Sequence, residues 1–554
     1  MLMRLHAVVL LVSAAGFCQQ HEHSSPPADN GPAPLLDGLG NLHHAITTSK
    51  PEATTSKPGA QRYFDQGLTL AYGFNYDEAA RSFRYAAKLD PKCAMAWWGV
   101  ALAVGPNYND QEIDAGRRKS AYEASQKALS LAGNAKPAEQ GFIRALAKRF
   151  SADPKADPKK LNVDYAQAMR EVMRQNPADS DAAVLFADAA MNVHPWQLWT
   201  HDGQAVEGTP EIVEVLEGVL KRDPNHIGAN HLYIHAVEAS RHPERALASA
   251  NRLTALCPGA GHLVHMPAHI YIRTGDYHAS SLANQQAVGI DQGYVNKYHV
   301  TGMYPVMYYT HNLHFLAISS CFEGRFDEAN RIATKVVAGM MPFAKETPMA
   351  ESFLPTKTFV LVRFRQWEDV ATMPEPDKNL RLLHAVWHFG RGMADTGFAR
   401  LDKAAEEREA LIAETKTLPE SAMLGLNSAH QVLDIAALML EANIARGQRN
   451  YKRAAELLNK AAQTEDKLNY DEPPDWYLPP RESLGAVLFT DGRYADAEAA
   501  FRAELKLHAK NPRALFGLAE CLQAEKKTAE AATVRKEFEA GWKNADSKLK
   551  MSDL

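Results

Sequence analysis

The sequence predicts an all-α fold, a right-handed α-solenoid of stacked helix pairs. Three observations predict it. ANHLYIHAVEAS and GHLVHMPAHIYIR place His231 and His235 at an offset of 34 residues from His265 and His269, the period of a repeating two-helix unit. Small residues, an aromatic and a helix-stopping Pro recur at fixed intervals near both ends of the chain. Almost nothing reads as the apolar and polar alternation of a strand.

The elements follow from the N-terminus. Arg4 precedes a short apolar run from Ala7 to Ala15, with Ser13, Ala14 and Ala15 as a cleavage pattern. Residues 1–18 therefore read as a secretory signal, too short for a membrane span, and the chain as periplasmic or secreted. Cys18 invites a lipid anchor, against which Phe17 argues because lipoprotein signals place small residues before that Cys. Residues 19–59, rich in Ser, Pro, Thr, Ala and Gly and holding His21, His23, His43 and His44, read as a disordered leader. The remaining cysteines, Cys93, Cys257, Cys321 and Cys521, are far apart, with no CxxC pair, so neither a disulfide scaffold nor a thiolate metal knot is expected. A net charge of -5 on 554 residues implies no nucleic-acid partner.

Repeats begin with RYFDQGLTLAYGFNYDEAARSFRYAAKLDP, where Gly67, Ala79, Phe83, Ala86 and Pro91 occupy the small, aromatic and terminal positions of a helix pair. PPRESLGAVLFTDGRYADAEAAFRAEL repeats the pattern with Gly485, Ala497 and Phe501. Small residues let paired helices approach, the aromatic fills the gap between units, and Pro stops the second helix. Weaker copies bring the expected number to about ten, divided into an N-terminal array over 60–345, a C-terminal array over 346–545 and a tail over 546–554. These features resemble the tetratricopeptide repeat (TPR) superfamily over most of the chain. Together with QRYFDQGL, CAMAWWGVALA and YYTHNLHFL, the histidine motifs resemble a group of exported bacterial TPR proteins. The resemblance implies a binding scaffold whose first helices line a concave groove, and no particular chemistry.

When each unit is numbered so that its small residue stands at 8, His231, His265 and His314 fall at position 5. His235 and His269 fall at position 9, as does Asp188 one unit earlier, and His262 and His311 fall at position 2. Glu238 and Arg273 take positions 12 and 13. In tetratricopeptide proteins these positions face the groove. Histidines four apart share one helix face, and imidazoles from neighbouring helices reach a common ion. His231, His235, His265, His269, His311 and His314 are therefore candidate ligands for Zn, Fe, Cu or Ni, with Asp188 or Glu238 supplying a carboxylate.

Two other readings stand beside this one. In the first, Asn230, Tyr271, Arg273 and Asn312 join the histidines as hydrogen-bonding groups for a peptide, a protein partner or a small ligand. In the second, the histidines are satisfied core residues. The functional expectation is an exported TPR scaffold with a His- and carboxylate-lined groove that binds a metal ion, peptide or small ligand. The alternative is a metal-dependent hydrolase or oxidoreductase with Glu238 or Asp188 as general base. Pro267 is expected to break the helix and leave His262 and His265 on the entering turn. The segment from Pro195 to Gly203 either leaves the groove open or plugs it. His384, His388 and Glu482 are secondary candidates for its far side, with solvated roles favoured.

Overall fold

The computed structural model describes residues 33–49 and 59–554. The expected signal, Cys18, His21 and His23 lie outside them. Helix pairs follow one another from Ala60–Tyr72 and Tyr76–Leu89 to Pro512–Ala524 and Thr528–Gly541, twelve among the described residues. Two more pairs are present than the sequence landmarks indicate. One of them, Thr356–Arg363 with Trp367–Thr372, is too short to carry the full pattern. The only strands among the described residues are Met423–Leu424 and Asn427–Ser428, paired antiparallel. No described helix is long and apolar enough to cross a membrane.

Close approach of helices fixes the stacking. A Cβ on Gly67 or Gly99 would stand 2.7 or 2.2 Å from the Phe83 ring, so both helices pass the ring only because those residues are Gly. The second strong copy repeats this: Gly485 and Gly517 close on Phe501 at 2.4 and 2.2 Å. Both rings are fully buried. Side-chain caps mark the helix starts, as when Asn75 accepts from Glu78 N and Asp276 from Ala279 N.

Three expectations need correction. Residues 33–49 are not a loose leader: they run along the helices with Ala33, Leu39 and Ile46 buried. His44 Nδ1 meets Asp181 Oδ2 at 2.7 Å, and Thr47 N donates to Glu139 Oε1 at 2.7 Å. Composition misses this because the partners that satisfy the segment are carboxylates on distant repeats. The tail also folds back, with Asp546 accepting from Phe326 N and Asp327 N at 2.7 and 2.9 Å. Finally, the apolar core does not divide at residue 345. One cluster extends from Ala33 to Ile270 and another from Ala268 to Leu554, so the change falls on the helix Pro267–Thr274, whose opposite faces serve the two.

The C-terminal repeats curl back against the middle of the chain. Tyr277 Oη donates to Ala509 O at 2.9 Å, and Arg363 Nη1 to Tyr477 O at 2.9 Å. Glu482 is the hub of this contact. It accepts from Arg513 Nε at 2.6 Å, from Asn511 Nδ2 at 2.8 Å and from Arg363 Nη2 at 3.3 Å, all buried. It is therefore a structural anchor, neither groove-lining nor solvated. Burial alone would raise its pKa, but the two guanidiniums override that and hold it at about 2.

Because the folded pKa is depressed, the stabilisation from Glu482 should be complete above the ordinary carboxyl value of 4.5 and be lost as pH falls towards 2. Glu482→Gln should cost about 3–5 kcal/mol by leaving two buried guanidiniums uncompensated. Urea denaturation at neutral pH, repeated down an acid series, checks both.

Candidate metal centre

Three consecutive repeats build the site. The helix Ile227–Val237 carries His231 and His235 one turn apart. The next unit opens with a broken helix, Gly261–His265 and then Pro267–Thr274. The break lies where Pro267 predicts it, and the entering turn holding His262 and His265 is itself a single helical turn. In the third unit a π-helical segment, Tyr304–Tyr309, runs into Thr310–Phe322 and delivers His311. A π-turn widens the helix and often marks a functional site.

Six imidazoles gather into two triads. His231, His235 and His262 place one nitrogen each within 4.8 Å of the others, and so do His265, His269 and His311. In the first, His262 Nε2 stands 3.2 Å from His231 Nε2. In the second, His265 Nε2 is 2.8 Å from His269 Nε2 and 3.1 Å from His311 Nε2. All six are buried except His311, which is partly so. Five belong to the candidate ligand set; the sixth, His262, joins them from position 2 of its unit.

The other ring nitrogens determine the tautomers. His231 Nδ1 is 2.5 Å from Tyr72 O, a carbonyl that can only accept. His235 Nδ1 and His269 Nδ1 lie 2.7 and 2.5 Å from the two oxygens of Glu238. His265 Nδ1 is 2.6 Å from Asn284 Oδ1, whose amide nitrogen is already donating to Ser280 O. These four rings therefore carry their proton on Nδ1 and turn an Nε2 lone pair inward. His265 and His269 thus oppose two lone pairs at 2.8 Å, and His235 Nε2 has no partner.

Burial keeps four of the rings neutral. Burial, then the neighbouring imidazoles, pushes His231, His262, His265 and His311 well below the ordinary value of 6.5. Burial also acts on Glu238, upward, but His269 and His235 outweigh it and hold the carboxyl at about 2. Glu238 is thus a buried carboxylate shared by one histidine of each triad. Each of its two oxygens meets a ring Nδ1, an arrangement that orients ligands.

Aromatic rings enclose the centre. Phe74, held at φ 57°, stacks on His235 and His262 with centroids 5.6 and 5.4 Å away, and Phe315 lies 5.1 Å from His265 and His269. The insertion after Met191 does cover the groove here: Trp196, at φ 60°, meets the His235 ring edge-on at 5.6 Å. Trp199 Nε1 ties that loop to Ala236 O at 2.8 Å. Side chains this bulky at positive φ need surrounding structure to hold them. From the C-terminal half, Tyr470 lies over Arg273, which is 5.2 Å from its ring, and its hydroxyl is 3.5 Å from Glu238 Oε2. A cavity of about 3590 Å³ reaches His235, His262, His269 and His311. Tyr304, Tyr308 and the carboxyls of Asp471, Glu472 and Asp475 line it as well.

The remaining candidates lie outside both triads. His314 lines the same cavity but meets Phe353 at 5.3 Å instead of another imidazole of the cluster, and burial lowers its pKa to about 3. Asp188 is bound to Asn192 and raised by burial to about 6; it belongs to neither triad. Asn230 donates to Pro224 O and His226 O, and Tyr271 to Asn251 Oδ1. Asn312 donates to Asp291 Oδ2 at 2.7 Å and so braces the helix of His311. Arg273 donates to Ser240 O beside the centre without touching it. His384 and His388 form a separate group with Glu414. Phe74, Phe315 and Tyr470 had no signal in the spacing, since aromatic residues are common throughout the helices.

The comparisons with known proteins concern the scaffold. No curated protein sequence matches the chain. Among solved structures, the human IFIT1 dimer with m7Gppp-AAAA is 11% identical, covers 89% of this chain and 90% of its own, and superposes with a TM-score of 0.31. The APC/C hetero-tetramer Cut9-Hcn1 is 14% identical over 92% and 77%, with a TM-score of 0.29, and yeast Tom70 12% over 86% and 90%, with 0.27. Superpositions this loose transfer no residue, groove or ligand. The family model described as tetratricopeptide repeat matches residues 64–104 and 483–545, the segments built around Phe83 and Phe501. Both ends of this α-solenoid are therefore similar to tetratricopeptide repeats.

Proposed function

We propose that this chain is an exported tetratricopeptide scaffold whose buried histidine centre holds a first-row transition metal. The observation that carries the reading is the opposition of His265 Nε2 and His269 Nε2 at 2.8 Å, with the proton of each ring engaged at Nδ1. Two buried acceptors facing one another repel unless a cation lies between them. Ligand atoms on a tetrahedral ion with bonds of about 2.0–2.1 Å lie about 3.3 Å apart. The contacts of 2.8, 3.1 and 3.2 Å approach that spacing. An imidazole set accepts Zn, Cu, Fe or Ni. Export is read from Arg4 and the apolar run behind it, in keeping with the resemblance to exported bacterial proteins.

One observation favours a metal-dependent enzyme as the second reading. The cavity of about 3590 Å³ has four of the imidazoles on its wall, so a bound ion would be reachable by a small organic molecule. Tyr308 would offer it a hydroxyl.

Full-length protein equilibrated with Zn(II), Cu(II), Ni(II) or Fe(II) and then desalted should retain metal. Replacing both His235 and His269 with Ala should abolish retention while helical circular dichroism persists. Retention of none of these ions by the wild type refutes the reading. A second measurement needs no variant: in chelator-treated protein, ¹⁵N spectra should show His231, His235, His265 and His269 as Nδ1–H tautomers. A proton on Nε2 of His269 would remove the opposed lone pairs.

A further inference from the structure

The two triads are related to each other in the same way as the repeats. His231 and His265 stand at position 5 of successive units, His235 and His269 at position 9, and His262 and His311 at position 2 of the unit that follows each pair. Each triad thus takes two histidines from one first helix and one from the next. One internal contact recurs with it: the position-2 ring meets the position-5 ring through Nε2 atoms at 3.2 Å in the first triad and 3.1 Å in the second, while the 2.8 Å contact between positions 5 and 9 belongs to the second alone. We propose that the centre is a two-ion site, one first-row transition ion to each three-imidazole triad, with Glu238 as the positioning residue that yokes them. This rests on the metal reading above and goes beyond it in number, ligand set and the role of Glu238.

The series has physical ends. One unit earlier, position 9 is Asp188 and position 5 is Val184, and one unit later, position 9 is Ile318. His314 occupies the last position 5 but has no position-9 partner, and it packs against Phe353 instead. Two complete triads therefore exist among three units.

Glu238 has no counterpart 34 residues on, where Ile272 stands. One carboxylate serves both triads, through His235 at 2.7 Å and His269 at 2.5 Å. The rings of those histidines have centroids 5.6 Å apart, so the two sites adjoin. Each triad has its own aromatic cover, Phe74 for the first and Phe315 for the second. Three imidazoles leave one position of a tetrahedral ion open, and the cavity reaches both triads, at His235 and His262 and at His269 and His311.

The test titrates Co(II) into chelator-stripped full-length protein and follows ligand-field absorption together with metal content after desalting. Saturation is expected at two ions per chain. His262→Phe and His311→Phe should each leave one, their combination none, and His314→Phe two. Glu238→Gln should keep two ions but weaken both by about 10–100-fold, the usual effect of losing such an outer partner. One ion in the wild type, lost in either single variant, means a single shared ion and overturns the inference while the metal reading stands. No ion in any variant or in the wild type overturns both. Loss of one ion in Glu238→Gln makes that carboxylate a ligand and overturns the yoke. Circular dichroism on each variant separates lost ligands from lost fold, and Glu238→Asp should restore affinity more fully than Gln if orientation is the role.

Discussion

Everything in this molecule depends on how closely one helix pair can approach the next. Phe83 is clasped between Gly67 and Gly99, and Phe501 between Gly485 and Gly517, with no room for even one Cβ. Units stacked this closely keep a similar offset from one to the next. Such an offset brings equivalent positions of successive units into line. Histidines at positions 5, 9 and 2 therefore converge as a consequence of the stacking, with no loop needed to assemble them. The site is a product of repetition, and so is its doubling.

A repeat alone would produce a stripe of imidazoles on an open concave face. Three departures from regularity turn that stripe into an enclosed centre. Pro267 interrupts the helix after His265 and leaves His262 and His265 on a separate short turn before His269. A π-helical segment, Tyr304–Tyr309, leads directly into the helix that carries His311 to His265. The insertion carrying Trp196 and the segment carrying Tyr470 then close over it. Irregular backbone is concentrated where the chemistry is, as expected when local strain is held by a rigid surround.

The enclosure changes what the polar groups can do. In water, six imidazoles and a carboxylate would be individually solvated and individually unremarkable in their protonation. Inside this shell, burial keeps four of the rings neutral, and Glu238 remains an anion because two histidines hold it. The result is a set of lone pairs directed inward and a single negative charge behind them. Elsewhere the same burial serves stability only: Glu482 sits between Arg363 and Arg513 and joins the two ends of the curl. Two buried carboxylates, one oriented on rings and one on guanidiniums, have different consequences because of their partners.

The sequence by itself determined the all-α repeat, the common register that brings the histidines of successive units together and the interruption at Pro267. All three are local or periodic properties, carried by residue size, spacing and backbone chemistry along one stretch of chain. It did not reveal that Asp188 and His314 fall outside the cluster, because a repeat number assigns a face but not a rotation of the helix within its unit. Nor did it place residues 33–49 against the repeats or Tyr470 beside Glu238. Those contacts join residues separated by tens to hundreds of positions, through hydrogen bonds and ring contacts that leave no mark in spacing. Tertiary structure alone decided which imidazoles face one another, since that depends on the pitch of the stacking and on which nitrogen of each ring is already taken.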